Sequence, residues 1–158
     1  MKDFIDKIGK AFSERKFPEV ICHPEKLSDD EYREATAFAV SHWLNLDTDI
    51  LESYYEAIFW LTPEAFCYYL PGILKAGMED GIPDLLINHA LINMLDRSPV
   101  IEYWDDFFRE RWLKLNKEEL SVISEWILWL TSFEKTGYDD ISLTRAFDTI
   151  ELLMEAVG

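Results

Sequence analysis

Three carboxylates in the segment 47–56 are the residues best spaced to do chemistry. Asp49, Glu52 and Glu56 stand at positions i, i+3 and i+7, which lie on one side of a continuous helix. Such a row can attract a basic protein, hold a metal ion or form a solvated face. A metal centre is disfavoured because no Glu-x-x-His or His-Glu-x-x-His motif lies nearby. The spacing therefore predicts an acidic strip, with no metal or cofactor assigned to it.

The binding hypothesis gives this strip a role in recognising a partner protein. Asp47, Asp49, Glu52 and Glu56 would steer a basic partner electrostatically, and Trp60 would be buried as an aromatic anchor. The concrete version is an immunity or antitoxin-like protein that neutralises a cationic toxin or nuclease. A face that is merely solvated is the alternative.

Histidine and cysteine supply the candidates for an enzyme. His89, on a polar strip of an otherwise apolar helix, and His42, near the acidic strip, could each organise a site assembled from distant residues. Cys22-His23 is an adjacent pair in a predicted loop, whereas a catalytic cysteine and histidine normally meet through the fold. The chain has no phosphate-binding Gly-rich loop, no Gly-x-Ser-x-Gly and no Cys-x-x-Cys. No catalytic residue is assigned, and a binding protein is favoured over an enzyme.

The balance of charge narrows the possible partners. The 158 residues include 31 acidic and 15 basic side chains, for a net charge of −16. Residues 27–74 carry half of that net charge, with nine acidic residues against Arg33 alone. Nucleic acid and anionic membrane surfaces are disfavoured, because both are bound through lysine and arginine. A negative surface speeds association with a cationic partner, although acidity can also serve solubility alone.

Targeting signals are not apparent in the chain. No apolar run approaches the roughly 20 residues of a membrane-spanning helix. Residues 1–6 lack the apolar core of a signal peptide. These features predict a cytoplasmic protein in which Cys22 and Cys67 are reduced.

The segment 61–74 is the element around which the other helices are expected to pack. Thr62 predicts a helix N-cap, and Pro63 suits the first helical position because its missing N–H would be unpaired there anyway. Pro71 either kinks this helix or ends it near Leu70. A kink is favoured, because the residues that follow can continue a helix.

A resemblance rests on this same stretch. Leu61-Thr62-Pro63-Glu64-Ala65-Phe66 running into Tyr68-Tyr69-Leu70-Pro71 resembles the signature of a bacterial family catalogued as a domain of unknown function. Glu34-Ala35 and Trp43 are similar to the same pattern, so the resemblance covers residues 27–74. It implies a bacterial origin and a small, mostly helical, cytoplasmic domain. The family has no established activity, so no site residue is carried over.

Helical spacing of apolar residues recurs along the rest of the chain. The predicted helices span about 2–16, 28–43, 48–61, 62–79, 83–95, 98–115, 116–136 and, after a loop at 138–140, 141–157. No segment shows the alternation of a half-buried strand. The prediction is a single all-α domain over residues 1–158, a compact bundle of seven or eight helices with a proline-kinked central helix. A helical homo-oligomer paired through Trp60 and its neighbours is the third functional hypothesis.

Overall fold

The computed structural model describes all residues, 1–158, and confirms the all-α prediction with eight α-helices and no strands. Four 3₁₀ turns connect them, at Pro24–Lys26, Trp43–Asn45, Tyr55–Phe59 and Ile101–Tyr103. None of the helices combines the length and apolar character needed to cross a bilayer. The helices are α1 (Lys2–Ala11), α2 (Asp29–Phe38), α3 (Thr48–Ser53), α4 (Pro63–Asp80), α5 (Leu86–Met94), α6 (Asp106–Trp112), α7 (Lys117–Thr131) and α8 (Asp140–Val157).

Helix α4 lies at the centre of the fold. Every residue from Ala65 to Met78 is buried, and α1, α3, α5 and α6 all pack against this helix. The Thr62 hydroxyl accepts a hydrogen bond from the Ala65 N–H, as its predicted N-cap role requires. The helix runs unbroken through Pro71. Continuation past the proline is therefore confirmed, an end near Leu70 is wrong, and the angle of the bend stays a prediction.

A glycine lets another segment approach α4 closely. A Cβ atom added to Gly72 would collide with the backbone carbonyl oxygen of Trp43 and would lie 2.9 Å from Leu46 Cδ1. The 3₁₀ turn Trp43–Asn45 packs against α4 at this level. Only glycine leaves room for that carbonyl, so Gly72 fixes how the segment before α3 sits on the central helix.

The other helices close the core around α4. Helices α7 and α8 form the most extensive helix pair, and α1 packs against both α4 and α7. Capping boxes, Ser28–Glu31 and Asn116–Glu119, start α2 and α7. One cluster of 41 buried hydrophobic residues runs through the molecule, and Trp112 and Trp126 are among its largest fully buried side chains.

Several predicted helices are shorter than their apolar patterns indicated. Helix α2 ends at Phe38 rather than near Trp43. The helix expected to run to residue 61 stops after Ser53, because Tyr54 adopts φ −129° and ψ 33°, and a tighter 3₁₀ turn follows. Ser53, Tyr54 and Tyr55 all have modest helix propensity, and the turn buries Ala57 and Ile58. We infer that the free energy gained by burying Ala57 and Ile58 exceeds that of extending α3 by further turns.

Helices α6 and α7 are also shorter than their apolar spacing predicted. The helix expected over 98–115 begins only at Asp106 and is capped by Asp105, which accepts from the Phe108 N–H. A 3₁₀ turn, Ile101–Tyr103, lies before it. Helix α7 ends at Thr131 rather than near Gly137. Apolar spacing continues through 3₁₀ turns as readily as through short helices, so it overestimates helix length.

Candidate functional site

The predicted acidic residues all lie at the surface, but not as one stripe on one helix. Asp47, Asp49, Glu52 and Glu56 are exposed, and none forms a salt bridge within the chain. The single-helix stripe is wrong, because α3 ends at Ser53 and Glu56 lies in the following 3₁₀ turn. The four carboxylates thus have no salt-bridge partner, and they do not lie in a straight row along one helix.

Two of these carboxylates also hold helix ends. Asp47 Oδ1 accepts from the Ile50 N–H at 2.9 Å and caps α3. Glu52 Oε1 accepts from the Leu86 N–H at 2.7 Å, at the first residue of α5. The N-cap residue of α5, Leu85, has no side-chain acceptor of its own. Glu52 therefore supplies a cap from a different helix, a role that no local pattern could have indicated.

Tyr55 shows that acidic residues from other helices join the same surface. Its hydroxyl donates to Glu56 Oε1 at 3.2 Å. That hydrogen bond raises the pKa of Tyr55, and the negative charges of Glu34 and Glu52 raise it further. Glu34 belongs to α2, which packs against the Tyr55–Phe59 turn. The sequence points to Glu34 only through its place in residues 34–74, which contain no Lys or Arg.

A second addition comes from the end of α4. Thr48 Oγ1, in the first turn of α3, donates to Asp80 Oδ2 at 2.8 Å. Asp80 is therefore close to the carboxylates around α3 although it lies 32 residues away in sequence. We call the set Glu34, Asp47, Asp49, Glu52, Glu56 and Asp80 the acidic surface.

Trp60 lies outside the acidic surface. It is half-buried and lines a cavity of about 340 Å³ together with Phe59, Phe107 and Arg111. Phe59 is 42% exposed, one of several large apolar side chains at the surface. None of the acidic-surface carboxylates lines this cavity. Trp60, the predicted anchor, therefore lies close in sequence to the predicted steering carboxylates, but in the structure it lines a cavity that none of them reaches.

Arg111 is the unexpected residue of that cavity. Only 7% of it is exposed, and its guanidinium lies 3.7 Å from the centre of the Phe107 ring. Nη2 donates to the Leu61 carbonyl at 2.8 Å and Nη1 to the Phe107 carbonyl at 3.1 Å, while Nε has no acceptor. Burial lowers the pKa of Arg111. The side chain forms no salt bridge, which is unusual for a buried cation.

His89 does contact a carboxylate, although the pair secures a loop. Its Nε2 lies 2.8 Å from Asp84 Oδ1, and the same oxygen accepts from the Gly137 N–H at 2.9 Å. The imidazole stacks on Tyr138 with ring centres 4.0 Å apart, and the Tyr138 hydroxyl donates to the Pro83 carbonyl. These contacts join the loop between α7 and α8 to the residues before α5. Neither the cavity beside Trp60 nor a larger cleft of about 790 Å³ between the end of α1 and the start of α7 reaches His89.

The remaining candidates occupy structural positions. His42 Nδ1 accepts from the Leu44 N–H at 3.0 Å and caps a 3₁₀ turn, with no carboxylate paired to it. Both cysteines are free and buried. Burial raises the pKa of the Cys67 thiol to about 12 and also raises that of Cys22, so neither thiol forms a nucleophilic thiolate readily. No group of three or more His, Cys, Asp or Glu side chains is arranged to hold a metal ion.

Comparison of the chain with models of protein families, with curated proteins and with solved structures finds no match. The resemblance of residues 27–74 to a bacterial family therefore stays a prediction.

Proposed function

We propose that the protein is a binding module whose acidic surface engages a basic protein. The concrete form is an immunity or antitoxin-like protein that neutralises a cationic toxin or nuclease, with its carboxylates taking the place of phosphates. One observation carries the proposal: Asp47, Asp49, Glu52 and Glu56 are exposed and have no salt-bridge partner within the chain. Between Glu34 and Leu74 the sequence offers them no Lys or Arg.

Clustered like charges repel one another and cost stability. The same charges raise the rate of encounter with a cationic protein by roughly 10- to 1,000-fold at low ionic strength. Exposed ion pairs add little affinity of their own, so a tight complex also needs an apolar contact. Phe59 and Trp60, which follow the acidic segment directly, are the proposed source of that contact.

The test compares two variants of equal net charge. The first neutralises the acidic surface by Glu34→Gln, Asp49→Asn and Glu56→Gln, and leaves the capping carboxylates Asp47 and Glu52 intact. The control neutralises three exposed carboxylates that form no salt bridge and lie outside the acidic surface, by Glu134→Gln, Glu151→Gln and Glu155→Gln.

Each protein is immobilised and used to capture proteins from the native host at low and at high salt. The proposal predicts that a basic protein is retained by the wild type and by the control variant. It also predicts that the acidic-surface variant loses this protein and that high salt releases it. Equal retention by the two variants would contradict the assignment of the acidic surface.

Self-association is the alternative, because Phe59 exposes a large apolar ring beside Trp60. In that case the aromatic pair would join identical chains into a helical oligomer. Sedimentation equilibrium separates the two: an oligomer that Phe59→Ser dissociates supports self-association, and a monomer at high concentration removes it.

A further inference from the structure

The cavity beside Trp60 has a charge opposite to that of the molecule as a whole. Its charged lining consists of Lys26 and Arg111, with His23 as a titratable neighbour, against the single carboxylate Glu110. The larger cleft between α1 and α7 has five carboxylates against three cations in its lining. In a chain of net charge −16, a cavity with more fixed cations than carboxylates is an exception that calls for an explanation.

Arg111 is a buried cation without a salt-bridge partner, and the negative charge of Glu110 acts on it only from beyond salt-bridge distance. A guanidinium has five N–H donors, and only two donor atoms of Arg111 have acceptors, both backbone carbonyls. Its Nε is buried without any partner. Buried charges in folded proteins are normally paired, because an unpaired one retains much of its desolvation cost. A ligand that brought a negative charge into the cavity would supply the missing partner.

The start of α4 adds a second positive feature at the same place. Thr62 and Pro63, the N-cap and first residue of this 18-residue helix, both line the cavity. The N-terminal end of a long helix carries partial positive charge and favours an anion nearby. The helix end, Lys26 and Arg111 therefore act in the same electrostatic direction.

The remaining lining is apolar and aromatic. The lining includes the aromatic residues Phe59, Trp60 and Phe107 together with Leu27 and Leu61. The Arg111 guanidinium covers one face of the Phe107 ring. The volume of about 340 Å³ is at the small end of the range for ligand cavities. An inorganic anion would leave this apolar lining unused, whereas an organic acid would cover it.

We infer that this cavity binds an organic carboxylate that bears a flat apolar group. The carboxylate lies near Arg111 and Lys26, and the apolar group packs between Trp60 and Phe107. A free small acid and the carboxyl end of a peptide share this chemistry. The inference does not depend on the proposed function, since no acidic-surface carboxylate lines the cavity and only the neighbouring Phe59 and Trp60 take part in both.

The probe is 3-phenylpropionate, and its amide, 3-phenylpropionamide, is the matched neutral compound. Binding is followed through the indole N–H resonance of Trp60, which Trp60→Phe assigns. We expect the acid to shift this resonance in a saturable way and the amide to bind roughly tenfold more weakly, as the loss of a charge-assisted hydrogen bond implies. Equal binding of acid and amide, or no binding of the acid, would overturn the inference.

Variants locate the charge that the acid recognises. Lys26→Ala should weaken binding of 3-phenylpropionate several-fold, whereas Lys135→Ala, which removes an exposed lysine outside the cavity, should leave binding unchanged. Arg111→Met should abolish the preference for acid over amide. Arg111 also donates to two backbone carbonyls, so the Arg111→Met variant could fail to fold. In that case the Lys26→Ala variant is the test. An affinity of this variant for 3-phenylpropionate equal to that of the wild type would refute the inference.

Two further comparisons identify the source of the carboxylate and separate this inference from the proposed function. The first comparison measures the affinities of acetyl-Gly-Gly-Phe, with a free carboxyl end, and of 3-phenylpropionate. Tighter binding of the peptide identifies a peptide carboxyl end as the ligand, and tighter binding of 3-phenylpropionate identifies a free acid. The variant that neutralises Glu34, Asp49 and Glu56 should bind 3-phenylpropionate as the wild type does. A loss of binding there would contradict a carboxylate site confined to this cavity.

Discussion

Replacing Gly72 by alanine tests the packing on which the central helix depends. The added methyl group would collide with the Trp43 carbonyl oxygen and lie 2.9 Å from Leu46 Cδ1. A flexible side chain could move aside, but a backbone carbonyl moves only together with its chain segment. We therefore expect Gly72→Ala to displace the Trp43–Asn45 turn from α4.

The size of the effect follows from two opposing contributions. Alanine favours a helix interior over glycine by about 1 kcal/mol, whereas overpacking a well-filled core costs about 1–3 kcal/mol. The contact with a backbone atom places this site toward the upper end of the packing cost. We predict a net loss of about 1–2 kcal/mol in the free energy of unfolding, or a Tm lower by roughly 2–8 °C for a chain of this length.

Gly9→Ala is the matched control. Gly9 lies inside α1, and an added Cβ atom would meet only Trp43 Cη2, at the ordinary contact distance of 3.9 Å. This change should increase the free energy of unfolding by about 0.5–1 kcal/mol. Urea unfolding followed by circular dichroism and by tryptophan fluorescence measures both variants. A Gly72→Ala variant as stable as wild type, beside a stabilised Gly9→Ala, would refute the packing argument.

Three further predictions follow from contacts between elements. Glu52→Ala should lower stability by about 0.5–2 kcal/mol and speed hydrogen exchange at the first amide of α5, while Glu52→Gln keeps an acceptor and most of the stability. Glu34→Gln should lower the pKa of the Tyr55 phenol, measured by NMR titration, because it removes a negative charge that opposes the phenolate. Glu119 is 1% exposed and binds Arg15, whose side chain is 25% exposed, through two contacts of 2.7 Å. Glu119→Ala should therefore lower the free energy of unfolding in urea by about 1.5–3 kcal/mol, and a loss below about 0.5 kcal/mol would contradict a stabilising ion pair.

Local chemistry accounts for the parts of the fold that could be predicted from sequence. The cap at Thr62, the proline at position 63 and the left-handed Gly81 that ends α4 each act within a few residues of their own position. The break at Tyr54 was missed, because it depends on how Ala57 and Ile58 are buried by other helices. Periodicity alone cannot distinguish an α-helix from a short helix followed by a 3₁₀ turn.

In the candidate sites, too, some features follow from local sequence and others from tertiary contacts. The exposure of Asp47, Asp49 and Glu56 follows from their charge alone. Glu52 caps α5 through Leu86, which is 34 residues away in sequence, and Arg111 is held by Leu61, which is 50 residues away. Such roles arise from tertiary contacts and leave no local trace in the sequence.

The most direct test of the central proposal is the rate at which a captured basic partner associates with the protein as ionic strength is varied. Stopped-flow measurements from about 10 mM to 500 mM salt span the change in Debye length from roughly 30 Å to below 8 Å. We predict that the association rate of the wild type falls at least tenfold over this range, and that the variant neutralised at Glu34, Asp49 and Glu56 starts lower and falls less. An association rate that does not change with ionic strength, or is the same in both proteins, would contradict the proposed role of the acidic surface.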